Sequence, residues 1–409
     1  MNFILRRRTV LAVLVVLLVF GLLFVHIATN QPSKETADSP DVFVGVDVGY
    51  GDENDVYKVA DVVAGYANLI VLGALNVTKD TAALTRVCDF LYQKDFYFII
   101  YVGFSKVDFL PPRGPDAQFF NETQGRWGNK FLGIYLFDEI GGKQLDSGEK
   151  VVMPGQLSQR ILDERDYTYV AEAYVAGLIG YSAVSLQWYA PPYPNYSTSD
   201  YALYWYDYLS GYNTVFTQFV GNQSRQLSIS LCRGAAHTLS TDVGHTQGQD
   251  WGVIITWKYD QAPYLEDAGQ LYDDMMLAYQ NQAKYIIVFN SAENNTQPTP
   301  VGTLTTEHLD AMKQFWDCTK NNPRSEVYPA DTAYVLPRDY GFGFRNPNDT
   351  IWGIWSADAL APKVWNDTNS LLATYGSKLD IVYETKLDGE SITLPYSKLI
   401  FWNGTITER

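Results

Sequence analysis

From Val42 onward, short apolar runs alternate with longer stretches in which apolar residues recur every three or four positions. The runs at 42–47, 69–75, 96–103, 131–137, 183–188, 227–232, 252–257 and 284–290 predict strands. Helical spacing occupies 55–66, where Val56, Val59, Val63 and Tyr66 share one face, and also 80–93, 157–178, 200–220, 264–282 and 304–319. Nearly continuous apolar strands separated by helices indicate a parallel sheet buried on both faces. Eight such units over residues 42–322 suit a TIM (β/α)8 barrel, an α/β fold of about 250 residues or more. An open doubly wound sheet is the alternative, but neither G-x-G-x-x-G nor G-x-x-x-x-G-K-[ST] follows any strand.

Beyond the barrel, residues 326–409 predict a small α/β accessory domain. Its strand at 333–336 is followed by a Trp-rich loop, a helix near 366–375, and strands at 379–383 and 399–402. At the other end, Arg6, Arg7 and Arg8 precede an uncharged stretch from Thr9 to Ala28. Residues 9–28 are long enough, at about 1.5 Å each, to cross the roughly 30 Å of a bilayer's hydrocarbon core. The expectation is one transmembrane helix holding the protein in the lipid bilayer, with residues 1–8 cytoplasmic and 29–41 as a polar linker. A cleaved signal peptide is the rival reading.

An ectodomain would explain the N-x-S/T sequons at Asn76, Asn121, Asn195, Asn222, Asn294, Asn348, Asn366 and Asn403, which mark expected glycosylation sites. Only Cys88, Cys232 and Cys318 are present, too few for a disulfide framework, so buried thiols are expected. The formal charge of −16 leaves no basic face for phosphates and argues against nucleic acid as a partner. With 46 % hydrophobic residues the chain is not disordered, and its 15 % aromatic content exceeds what a core requires.

Side chains alternate along a strand, and barrel active sites lie at the strands' C-terminal ends. In 42–47 the valines face outward, leaving Phe43, Gly45 and Asp47 inward. In 131–139, Gly133, Tyr135, Phe137 and Glu139 share the inward face, which turns Asp138 toward the helices or the next loop. The same parity puts Tyr101 and Gln187 at the mouth, with Trp188 outward beside Gln187. Trp257 or Lys258 ends the seventh strand and Glu293 follows the eighth. Carboxylates among aromatics are what glycosidic cleavage needs: one carboxyl protonates the leaving oxygen, and a second acts as nucleophile or activates water. Glu139 is the candidate acid/base, with Asp47 or Glu293 as its partner. The run Asp52 to Asp55 reads as a helix cap and misses the calcium-loop spacing. No metal and no cofactor is called for. Arg338 and Arg345, with Trp352 and Trp355, either wall the mouth and bind sugar or knit the two domains together.

The segment Gly133-Ile-Tyr-Leu-Phe-Asp-Glu139, ending a fourth strand, resembles the (β/α)8 glycoside hydrolase superfamily over roughly 42–320. That resemblance implies Glu139 as acid/base and a carbohydrate substrate, and Asp138 beside it is a candidate substrate-binding residue. Two departures stand out: Asp138 precedes the glutamate where the large two-glutamate clan carries Asn, and Thr256-Trp-Lys258 ends strand seven without a glutamate. Leu371 to Tyr383, with Tyr396 to Ile400, resembles the start of the glutamine-amidotransferase-like accessory domain of some β-galactosidases, without its nucleophilic cysteine. The expected function is a membrane-anchored, extracytoplasmic glycoside-hydrolase-like protein cleaving cell-surface or extracellular glycans. The alternative is a non-catalytic glycan-binding or cell-envelope barrel. A peptide- or ester-directed hydrolase is a third reading, with no nucleophile–base pair and no G-x-S-x-G to carry it.

Overall fold

The computed structural model describes residues 40–102, 115, 117–146, 150–186, 195–242, 249–256, 266–291, 300–325, 327–384, 386–387, 390–391 and 394–409. The expected anchor at 9–28 lies outside them, and among the described residues no helix is long and apolar enough to cross a membrane. Eight parallel strands close into a barrel in sequence order: β1 (Phe43–Tyr50), β2 (Leu69–Leu72), β3 (Tyr97–Val102), β4 (Phe131–Asp138), β5 (Tyr196–Asp200), β6 (Thr214–Phe219), β7 (Asp250–Ile255) and β8 (Tyr285–Ser291). Closure is made by β1 against β8, with Val46 opposite Val288 and Asp47 opposite Phe289.

The strands carry apolar side chains on both faces because both are buried. Val44, Val46, Ile70, Val253 and Ile286 face the helices, while Phe43, Val71, Ile99, Tyr135, Phe216 and Ile287 fill the barrel interior. Each such side chain contributes about 1.5–3 kcal/mol on burial. The helix Glu53–Val63 starts two residues before the expected 55 and is capped within the expected run, with Asp52 accepting from Asn54 N at 2.8 Å and Asp55 accepting from Asp52 N at 3.0 Å. The three cysteines are free thiols; Cys88 and Cys232 are buried and Cys318 is half-buried.

Two strand expectations fail. Residues 183–186 end the helix Tyr167–Leu186, and 227–232 lie within the helix Arg225–Asp242. The true fifth and sixth strands are Tyr196–Asp200 and Thr214–Phe219, the second of which falls in the stretch expected to be helical at 200–220. The helix Arg225–Asp242 reads as a strand because it is covered on two sides and lost its polar face. Cys232 packs under β6, its thiol 3.6 Å from Val215 O, while a Cβ on Gly234 would lie 2.8 Å from Ile381 O.

That second cover is a four-stranded sheet of order β10 (Leu379–Tyr383), β9 (Thr332–Leu336), β13 (Lys398–Phe401), β14 (Ile406–Glu408), backed by the helix Ala361–Tyr375. A short antiparallel pair, β11 (Lys386–Leu387) with β12 (Glu390–Ser391), follows β10. Between the helix Arg225–Asp242 and the sheet lies a fully buried ion pair, Arg233 Nε donating to Asp380 Oδ1 at 2.8 Å. Every remaining polar atom of the pair is satisfied in the way a buried charge requires. Arg233 also reaches Asn281 Oδ1, Ser377 O and Leu379 O, and Asp380 Oδ2 accepts from Tyr328 and Tyr396.

Candidate active site

A cavity of about 550 Å³ opens at the C-terminal ends of the strands, within the size range of ligand sites. Asp47, Tyr101, Asp138 and Glu139 line it together. Alternation along β1 holds, with Phe43 in the interior layer and Asp47 above it, 5 % exposed. Alternation along β4 does not. Phe137 and Glu139 both have positive φ, 61° and 59°, and the pairing of β4 with β5 jumps between Tyr135 and Asp138. This irregularity turns Asp138 into the cavity beside Glu139, correcting the expectation that it faces the helix layer.

Asp138 Oδ1 collects polar side chains from its own strand, from β5 and from β6. Tyr135 Oη lies 2.8 Å away, Ser199 Oγ 2.6 Å and Gln218 Nε2 3.4 Å, all on this one oxygen. Ser199 and Gln218 are site residues that the sequence reading missed. The pattern Tyr196-Ser-Thr-Ser-Asp200 has no apolar run to mark it as a strand, although its side chains are all buried.

Glu139 is fixed through its backbone, donating N–H to Ser199 O at 2.8 Å. Its carboxylate, one-third exposed, stands 3.6 Å from Lys143 Nζ. Burial and the Asp138 charge push the Glu139 pKa up, with Lys143 opposing them. Burial, then the Asp138 charge, raises Asp47 to about 8.

The turn that follows Glu139 is clamped from behind by Asp200, fully buried at the end of β5. Its carboxyl accepts backbone N–H from Gly141, from Gly142 at 2.8 Å, from Tyr201 at 2.7 Å and from Ala202 at 3.1 Å. Burial outweighs those bonds and lifts its pKa to about 7. The Glu139-Ile-Gly-Gly sequence now has a reason: a Cβ on Gly142 would sit 2.0 Å from the Tyr201 ring.

Tyr50, Tyr101, Tyr135 and Phe289 form the aromatic walls, and Leu75, Asn76 and Lys79 lie among the lining residues. Tyr50 is 44 % exposed and meets Phe289 edge-on at 6.2 Å. Gln187, Trp188, Trp257, Lys258 and Glu293 lie outside the described residues.

Arg338 and Arg345 do not line the cavity. Arg345 bridges Asp349 at 2.7 Å and Asp146 of the barrel, and Arg338 lies 3.1 Å from its neighbour Asp339. Trp352 is fully buried against Tyr174 and Tyr206, and Trp355 donates to Leu162 O at 3.0 Å. Arg345, Trp352 and Trp355 thus knit the C-terminal segment to the barrel, while the ion pair of Arg338 stays within the segment. Of the sequon asparagines, Asn76, Asn195, Asn222, Asn348, Asn366 and Asn403 are exposed, while the side chains of Asn121 and Asn294 lie outside the described residues.

No family model matches the sequence, and no curated protein is significantly similar to it. Solved structures do match. The beta-galactosidase from Bacillus circulans sp. alkalophilus aligns with a TM-score of 0.52 at 10 % identity, covering 88 % of this chain and 67 % of that one. The beta-galactosidase from the Antarctic haloarchaeon Halorubrum lacusprofundi aligns with a TM-score of 0.51 at 8 % identity, covering 88 % of this chain and 69 % of its own. That coverage is more than the barrel alone supplies, so the likeness continues into the C-terminal sheet. The chain has the (β/α)8 barrel fold that these two beta-galactosidases also contain, and the likeness shows the fold alone.

Proposed function

We propose that the protein is a glycoside hydrolase whose proton donor is Glu139 and whose second carboxylate is Asp138. The observation that carries this reading is the convergence of both side chains on one aromatic-walled cavity at the strand ends. Glu139 has the environment a general acid needs, since burial and a neighbouring carboxylate favour its protonated form. Asp138 has its hydrogen-bond contacts on Oδ1, which leaves Oδ2 to face the positive charge that develops at the sugar's anomeric carbon. Asp47 is less suited to that role near neutral pH, because burial and Asp138 favour its neutral form. The tyrosine and phenylalanine walls suit the apolar C–H faces of sugar rings.

The proposed setting is extracytoplasmic, with residues 9–28 as a bilayer anchor. The exposure of six sequon asparagines supports it, since each is accessible to glycan. A second reading is a glycan-binding barrel without turnover, favoured by Lys143, which lies 3.6 Å from Glu139 and opposes its protonation. Glu139→Gln separates the two. The hydrolase reading expects oligosaccharide turnover to fall about a thousandfold with melting unchanged. Binding without turnover in the wild type, undiminished by Glu139→Gln, would establish the second.

A further inference from the structure

The cavity keeps one acid in an incomplete state. Asp47 lines it, is 5 % exposed, and its Oδ1 has no hydrogen-bond partner. Buried acceptors are nearly always paired, so one left bare at a cavity invites a ligand donor. Gly73 lets the carboxylate pack there, since a Cβ at that position would lie 2.6 Å from that same oxygen. Asp138 is close enough for its charge to act on Asp47, and Glu139 brings a third carboxyl to the same cavity. Against these three acids, the cation lining the cavity among the described residues is Lys79.

Resting on the hydrolase reading above, we propose that the cavity takes an amino sugar in its protonated form, with the Asp47 carboxylate receiving the ammonium beside Asp138. A neutral hydroxyl would give Asp47 a donor but no counter-charge, and would leave Asp47 protonated beside Asp138. An ammonium supplies both, having three N–H donors and a full positive charge. An acetamido group in the same place offers one uncharged N–H behind a bulkier acyl group. Binding near neutral pH therefore displaces the proton of Asp47 into solvent as the ammonium arrives. Asp47 is a specificity residue in this account, and proton transfer to the leaving oxygen stays with Glu139.

The test is calorimetric titration of the full chain carrying Glu139→Gln, which holds turnover off. The probes are oligomers of glucosamine and of galactosamine, their N-acetylated counterparts, and neutral galactose and mannose oligomers. An amino-sugar oligomer is expected to bind at least about tenfold tighter than its N-acetylated form, the scale of one charged hydrogen bond. The heat of binding should vary with the ionisation enthalpy of the buffer, reporting the released proton. Adding Asp47→Asn should remove both the preference and the proton release. Equal or weaker binding of the amino sugars overturns the proposal, as does a preference that survives Asp47→Asn. Should Asp47→Asn lower the melting temperature, the comparison of amino and N-acetylated oligomers with Asp47 in place decides alone. Wild-type hydrolysis is assayed separately. Amino-sugar binding without turnover would remove the hydrolase reading and leave this one standing, whereas turnover of neutral glycans with no amino-sugar preference would do the reverse.

Discussion

Asp47→Asn should stabilise the fold, and by an amount that grows with pH. In the folded protein Asp47 holds its proton up to about pH 8, against an ordinary value of 3.8. Between those values the folded state binds a proton that the unfolded chain has released. The wild type therefore loses stability as pH rises, at about 1.4 kcal/mol per pH unit. The contribution is fully present below the unfolded value and gone above the folded one. Asparagine has the same shape and no proton to lose. The stability difference between variant and wild type should be small near pH 4 and rise to an upper bound of about 4 kcal/mol at pH 7. Other titrating groups are common to both proteins and cancel in the difference. Urea unfolding of the two proteins at several pH values measures it through the midpoint and slope. A difference that stays flat with pH would refute the assignment of a raised pKa to Asp47, and a variant less stable at pH 7 would refute the stored cost itself.

Two further outcomes follow from the packing. Gly142→Ala puts a methyl into the Tyr201 ring, so about 1–3 kcal/mol of stability and much of kcat should be lost together, because the turn that carries Glu139 must move; thermal melting and turnover check this. Asp380→Asn leaves Arg233 charged, fully buried and short of its counter-ion, and should cost about 3–5 kcal/mol by denaturant unfolding.

Much of the barrel was legible because strands buried on both faces leave short apolar runs. Six of the eight strands lie where those runs are. The two that were misplaced failed for opposite reasons. Strand β5 is polar throughout, Ser197, Thr198, Ser199 and Asp200, because its side chains are spent on hydrogen bonds to β4 and to the turn after Glu139. The helix Arg225–Asp242 carried strand-like alternation, Leu227-Ser-Ile-Ser-Leu231, because the C-terminal sheet removed the solvent that would have demanded a polar stripe.

The site was legible to the same degree. Parity placed Asp47, Tyr101 and Glu139 around the mouth, where all three are found. It could not place Asp138, since a strict two-residue period has no room for a backbone irregularity with two positive φ values. Nor could it find Ser199 and Gln218, which enter the site from strands assigned elsewhere. Side chains on a polar strand are hard to read because their partners are distant in sequence.

The Arg233–Asp380 pair also sets a timetable for synthesis. Its members are 147 residues apart, so at about 5–20 residues per second the arginine waits roughly 7–30 s for its counter-ion to be made. During that interval all eight barrel strands have been translated, yet one outer helix carries a charge that cannot be buried against bare protein. Until that sheet is made, the face of the helix that it covers stays in water. A chain cut before Asp380 would therefore leave Arg233 without its counter-ion and that helix face uncovered.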